Sequence, residues 1–205
     1  MTVLRKGRGE PVTILAAGDR ATIAHIEEVA VGLDGTQVYF DYDSVAPWAA
    51  TDRVAPAARP RREADRDADE VRAVADDHQA SQAIGISRGA RAVLGVLTQQ
   101  ADRFNRIALL LPPGGRAAGR YASWLSTLAT DVSTAPPTHP EVLVIGHRGD
   151  QVHPARVARE WAEVLGARLE LFPTGGPLAR HHERLHALLA EFMNQPGKRQ
   201  SYANA

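Results

Sequence analysis

The chain has 205 residues, 44% apolar and 23% charged, the proportions of an ordinary folded domain and not of a collagen, a coiled coil or a disordered tail. Lys plus Arg and Asp plus Glu each number 24, a formal charge of zero, so the basic surplus that phosphate-driven nucleic-acid binding demands is missing. With no cysteine, disulfide frameworks, thiolate metal sites, iron–sulfur clusters and cysteine nucleophiles are excluded.

The opening residues, MTVLRKGRGEPV, are charged and hold no apolar run of signal-peptide length. No apolar stretch reaches the roughly 18–20 residues that span a bilayer, so the expectation is a cytoplasmic protein without a membrane partner. Residues 12–17 (VTILAA) form a buried strand running into a turn at Gly18-Asp19. A helix follows over 22–31, stopped by Gly32 and Asp34-Gly35, then a strand at 38–40 (VYF). Residues 43–62, rich in Pro, Ala and Arg, read as a long loop. Residues 63–79 are charged and helix-compatible, with Val71 and Val74 as their apolar anchors on an otherwise solvated helix.

A third strand spans 82–86, and 90–100 (ARAVLGVLTQQ) is a helix apolar on most sides. Residues 106–111 (RIALLL) give a fourth strand, stopped by Pro112-Pro113-Gly114-Gly115. A short helix near 120–130 and a Pro-rich joint at 135–140 lead to a fifth strand, 141–145 (EVLVI). An amphipathic helix over 154–165, a sixth strand at 167–172 (ARLELF) and a last helix over 180–193 complete the pattern. Short apolar strands alternating with helices specify a mostly parallel sheet covered on both faces, a three-layer α/β/α sandwich. One domain over 1–193 is expected, with a disordered tail over 194–205.

Residues 85–89, Gly-Ile-Ser-Arg-Gly, place a G-x-S-x-G directly after a strand and before a helix. A sharp turn there thrusts the Ser87 hydroxyl above the sheet, and glycine at both flanks lets neighbouring backbone pass without a Cβ clash. The helix start aims N–H groups and a positive dipole at any oxyanion that forms. The alternative is a Gly-rich turn whose serine caps the next helix. Residues 142–154, VLVIGHRGDQVHP, run from a strand through Gly146 to Asp150, Val152 and Pro154.

In these two stretches the sequence resembles the α/β-hydrolases. The resemblance covers most of residues 10–193 and implies that fold with a minimal cap over about 114–140. It implies Ser87 as nucleophile and Asp150 as the acid that orients a histidine. The backbone N–H groups of Arg88 and Asp19 would hold the oxyanion, with Gly18 at the turn. The histidine of the family's pattern has no counterpart after the last strand, where Gly176-Pro177 stand. The nearest imidazoles are His181 and His182. On a wheel of about 100° per residue His181 falls within roughly 40° of Leu185, on the apolar stripe, and it is the candidate base.

The resemblance therefore implies a serine hydrolase of the carboxylesterase or thioesterase type, acting on a small-molecule ester or thioester without a cofactor. The alternative is a homologue lacking the base, which binds a ligand or performs non-hydrolytic chemistry. Two smaller features stand beside it. His182-Glu183-Arg184-Leu185-His186 fits H-E-x-x-H, but a zinc site needs a third ligand and only Glu191 offers one close downstream. Arg88 can meet a substrate anion, although pairing with a nearby acid is the commoner fate of such a residue.

Overall fold

The computed structural model describes residues 2–16, 18, 23–41, 59–100, 102–113 and 140–195. Among the described residues, seven strands form one sheet: β1 (Thr2–Gly7), β2 (Val12–Ala16), β3 (Thr36–Asp41), β4 (Gln82–Ile86), β5 (Arg106–Leu110), β6 (Glu141–His147) and β7 (Arg168–Phe172). Their spatial order is β1-β3-β2-β4-β5-β6-β7. β1 runs antiparallel to β3, and every other neighbouring pair is parallel. The helices are α1 (Ile23–Val29), α2 (Arg59–Asp77), α3 (Arg88–Gln99), α4 (Ala155–Leu165) and α5 (His182–Met193).

Strand periodicity divides the core in two. Val12, Ile14 and Ala16 of β2 join Val38, Phe40, Leu109 and Val144 on one face, covered by apolar residues of α2, α3 and α4 such as Val71, Val93 and Trp161. Leu15 joins Tyr39, Ile84, Leu110 and Ile145 on the opposite face, under Ile26 of α1 and Leu185, Leu189 and Phe192 of α5. A strand buried on both faces shows no polar alternation, which is why β2, β4 and β5 read as plain apolar runs. Each fully buried branched or aromatic side chain contributes roughly 1.5–3 kcal/mol.

Three details differ from the sequence reading. β1 was not expected: its charges, Arg5 and Lys6, sit on an edge strand where Val3 stays 39% exposed, and charge on an edge blocks pairing with other chains. α2 starts at Arg59, inside the expected loop. Asn194 and Gln195, assigned to the tail, are tied to the body. The Asn194 amide donates to Gly32 O (2.9 Å) and its Oδ1 accepts from Asp34 N–H (3.0 Å), while Gln195 O accepts from Arg106. The expected helix at 120–130, the cap at 114–139 and the tail from 196 lie outside the described residues. Among the described residues, no helix is long and apolar enough to cross a membrane.

The order of the strands positions the site. From β2 the chain moves outward to β3, then returns past β2 to β4 and proceeds the other way. The carboxyl ends of β2 and β4 therefore flank the point where the winding reverses, and a crevice opens there in such sheets. Gly18 follows one of these ends and Ser87 the other.

Candidate active site

The turn after β4 is held by its close contacts. Ser87 has φ 53° and ψ −110°, a sparsely populated conformation for an L-residue that costs on the order of 1–3 kcal/mol. Its N–H donates to Leu110 O (2.9 Å), and its carbonyl accepts from Arg91 N–H (3.2 Å). A Cβ at Gly85 would lie 2.5 Å from Gly89 O and 2.6 Å from Ala90 Cα, so only glycine lets α3 begin this close to the strand. A Cβ at Gly18 would lie 3.1 Å from both Ser87 Cβ and Ile86 O. The β2 turn is thus packed against the serine. Asp19 lies outside the described residues.

Arg88 opens α3. Its guanidinium donates from Nε and Nη2 to the two oxygens of Asp67 (2.8 and 2.6 Å), and Arg91 Nη2 adds a third bond at 2.8 Å. The Asp67 side chain is fully buried. Arg88 therefore pairs with an acid, and its backbone, at the first turn of α3, faces the side where helices direct their N–H groups. The expectation of a helix solvated outside its Val71 and Val74 anchors misses Asp67, whose buried side chain meets Arg88 and Arg91.

On the far side, β6 delivers residues 147–153. Gly146 permits close approach of α4, since a Cβ there would meet Ala158 Cβ at 2.7 Å. The chain turns at Gly149, with φ 84°, and Asp150 folds back on its own loop. Asp150 Oδ1 accepts from the N–H groups of Val152 (2.7 Å) and His153 (2.9 Å). Asp150 Oδ2 lies 3.0 Å from His153 Nδ1. Burial alone would raise this carboxyl, but the backbone and ring N–H groups of His153 and the N–H of Val152 outweigh it and hold the group below its ordinary value.

The decisive distance is on the other ring nitrogen: His153 Nε2 lies 2.9 Å from Ser87 Oγ. An ionised Asp150 only accepts, so the proton of neutral His153 sits on Nδ1. Nε2 then carries the lone pair and accepts from the Ser87 hydroxyl. Serine, imidazole and carboxylate stand in series, each in reach of the next, in the arrangement by which a weak hydroxyl becomes a nucleophile.

The imidazole at Ser87 is thus that of His153, which corrects the assignment to His181. His181 precedes α5, with its ring centroid 6.2 Å from that of Phe172, and its buried Nε2 has no hydrogen-bond partner among the described residues. His182 and His186 stand with ring centroids 6.0 Å apart, with His182 and Glu183 exposed to solvent. The sequence did carry a signal for His153. In D-x-x-H the third residue after an aspartate that turns on its own backbone comes back to the carboxylate. The expectation for that stretch is the loop of the acid Asp150, with no role assigned to His153.

Solved structures share this fold over most of their length. The meta-cleavage product hydrolase CumD of Pseudomonas fluorescens superposes with a TM-score of 0.63 at 15% identity, over 94% of this chain and 93% of that one. A hydrolase from Oleispira antarctica gives 0.66 at 15%, over 95% and 94%. A lipase-esterase related protein from Clostridium acetobutylicum gives 0.63 at 13%, over 93% and 99%. The fold is that of the α/β-hydrolases. No protein-family model matches the sequence, and no curated protein does. At such low identity the likeness concerns the fold; the chemistry rests on the residues above. Within the α/β-hydrolase fold of this chain, acid and imidazole come from a single loop after β6.

Proposed function

We propose that the protein is a serine hydrolase cleaving an ester or thioester of a small molecule through an acyl-enzyme on Ser87. The 2.9 Å approach of His153 Nε2 to Ser87 Oγ carries this reading. His153 takes the hydroxyl proton as Oγ attacks the carbonyl carbon, and Asp150 stabilises the imidazolium that results. The carbonyl oxygen, now an anion, is received at the start of α3 by Arg88 N–H, with Asp19 N–H as the second donor assigned from the sequence. His153 then returns the proton to the departing alcohol or thiol. Water, deprotonated by the same imidazole, attacks the acyl carbon; the bond to Ser87 Oγ breaks, His153 returns the proton to Oγ, and the acid leaves. The reading uses no cofactor and no nucleic-acid or membrane partner, and it places the enzyme in the cytoplasm.

The alternative of a fold without a base drew its force from Gly176-Pro177, and His153 supplies what those positions lack. A fluorophosphonate, which phosphonylates activated serines, separates the two. Labelling of the folded protein that disappears in Ser87→Ala, together with turnover of p-nitrophenyl acetate, supports the hydrolase. A folded protein that neither labels nor turns over the ester overturns it and favours a ligand-binding role.

A further inference from the structure

Asp150 serves two imidazoles. Besides His153, the ring of His147 reaches it: His147 Nε2 lies 3.0 Å from Asp150 Oδ2, the same oxygen that faces His153 Nδ1. The three residues form H-x-x-D-x-x-H over 147–153. His147 is the last residue of β6, in register with Phe172 of β7, so its backbone belongs to the rigid sheet and not to the loop. Its other nitrogen, Nδ1, lies 3.0 Å from Arg148 O; a neutral ring can donate to only one of these two acceptors, and the tautomer with its proton on Nε2 is the one that serves Asp150. Only 15% of the His147 side chain is exposed. With φ 74°, Gly176 passes beneath His147, and a Cβ there would stand 3.4 Å from Nε2.

We propose that His147 is a positioning residue for the acid–base pair. It ties the free side of Asp150 Oδ2 to the sheet while the backbone N–H groups of Val152 and His153 fix Oδ1. Without it, the carboxylate is held only by groups of its own turn, 150–153. With it, the plane of the carboxylate is set from two elements, and the direction in which His153 presents Nε2 to Ser87 follows. His147 touches neither Ser87 nor the reacting carbonyl in this scheme. Its effect belongs to kcat and not to binding. The inference rests on the proposed hydrolase reading, and its test is chosen to stand apart from it.

Two substitutions separate polar positioning from packing. His147→Phe keeps a ring over Gly176 and removes the polar contact; His147→Gln keeps an N–H for the carboxylate and removes the ring. With p-nitrophenyl acetate, His147→Phe is expected to lose about tenfold in kcat at unchanged KM, the scale of a lost charge-assisted contact, while His147→Gln stays within about threefold. Full activity in His147→Phe, or a loss confined to His147→Gln, overturns the proposal. A second readout needs no turnover. The downfield proton NMR signal of His153 Nδ1–H is expected to persist in wild type and His147→Gln and to broaden away in His147→Phe. An equal signal in all three overturns the positioning role even if wild type proves to be no hydrolase. Absent hydrolysis and labelling in wild type overturns the hydrolase reading alone.

Discussion

Asp150 carries four short contacts on two oxygens, and its acidity records them. Hydrogen bonds from Val152 and His153 hold it below the ordinary carboxylate value in spite of burial. A lowered folded-state value means stability that is complete above the unfolded value, about 3.9, and lost as the pH falls through the folded one. Asp150→Asn is therefore expected to lower the urea midpoint at about pH 7, and the gap to wild type should close as the pH drops below about 4. Denaturant titrations of both proteins across that range check the sign. A gap that widens in acid contradicts it. Ser87 and Asp150 were legible from sequence because each sits in a pattern, a glycine-flanked serine after a strand and an aspartate after strand and glycine. For His153 the sequence offered only the D-x-x-H spacing; its role depends on a turn closed by the Asp150 side chain, and periodicity says nothing about side-chain closure.

The elements around the site are held by two kinds of contact. One is charge in a dry place: Asp67 of α2 accepts three bonds from Arg88 and Arg91 of α3. Asp67→Ala leaves two guanidinium groups without that carboxylate and is expected to cost roughly 3–5 kcal/mol, read as a fall in the urea midpoint. A loss below about 1 kcal/mol would show that the pair is solvated instead. The other is close backbone approach. Gly146→Ala pushes a methyl to 2.7 Å from Ala158 Cβ and is expected to cost about 1–3 kcal/mol, since neither β6 nor α4 can yield without moving the 148–153 loop. A midpoint equal to wild type contradicts this. Helices with apolar stripes, such as α4 and α5, were evident in the sequence. β1 escaped because an edge strand with charged residues lacks the apolar run by which the central strands announce themselves. The partner of Arg88 escaped because Asp67 stands in a run of acids and arginines that looks uniformly solvated until α2 is packed.

At the scale of the molecule, the alternation of strand and helix foretold a parallel sheet with two covered faces, and the division of the core into two clusters realises it. What the alternation left open was the lateral order of the strands. That order sets the ends of β2 and β4 side by side and β6 two strands away, across β5. Gly18 and Ser87 therefore stand beside each other, while the loop after β6 must reach back over the end of β5 to meet them. A histidine arriving on that same loop travels with its carboxylate, so acid and base move as one unit relative to the serine. The central claim is that this unit, through His153, activates Ser87. Its most direct measurement is the rate of fluorophosphonate labelling of Ser87 in His153→Ala and His181→Ala, run side by side on folded protein. A loss of about 10²–10⁴-fold is expected in His153→Ala, and a rate equal to wild type in His181→Ala. Unchanged labelling in His153→Ala, or a collapse in His181→Ala alone, would contradict it.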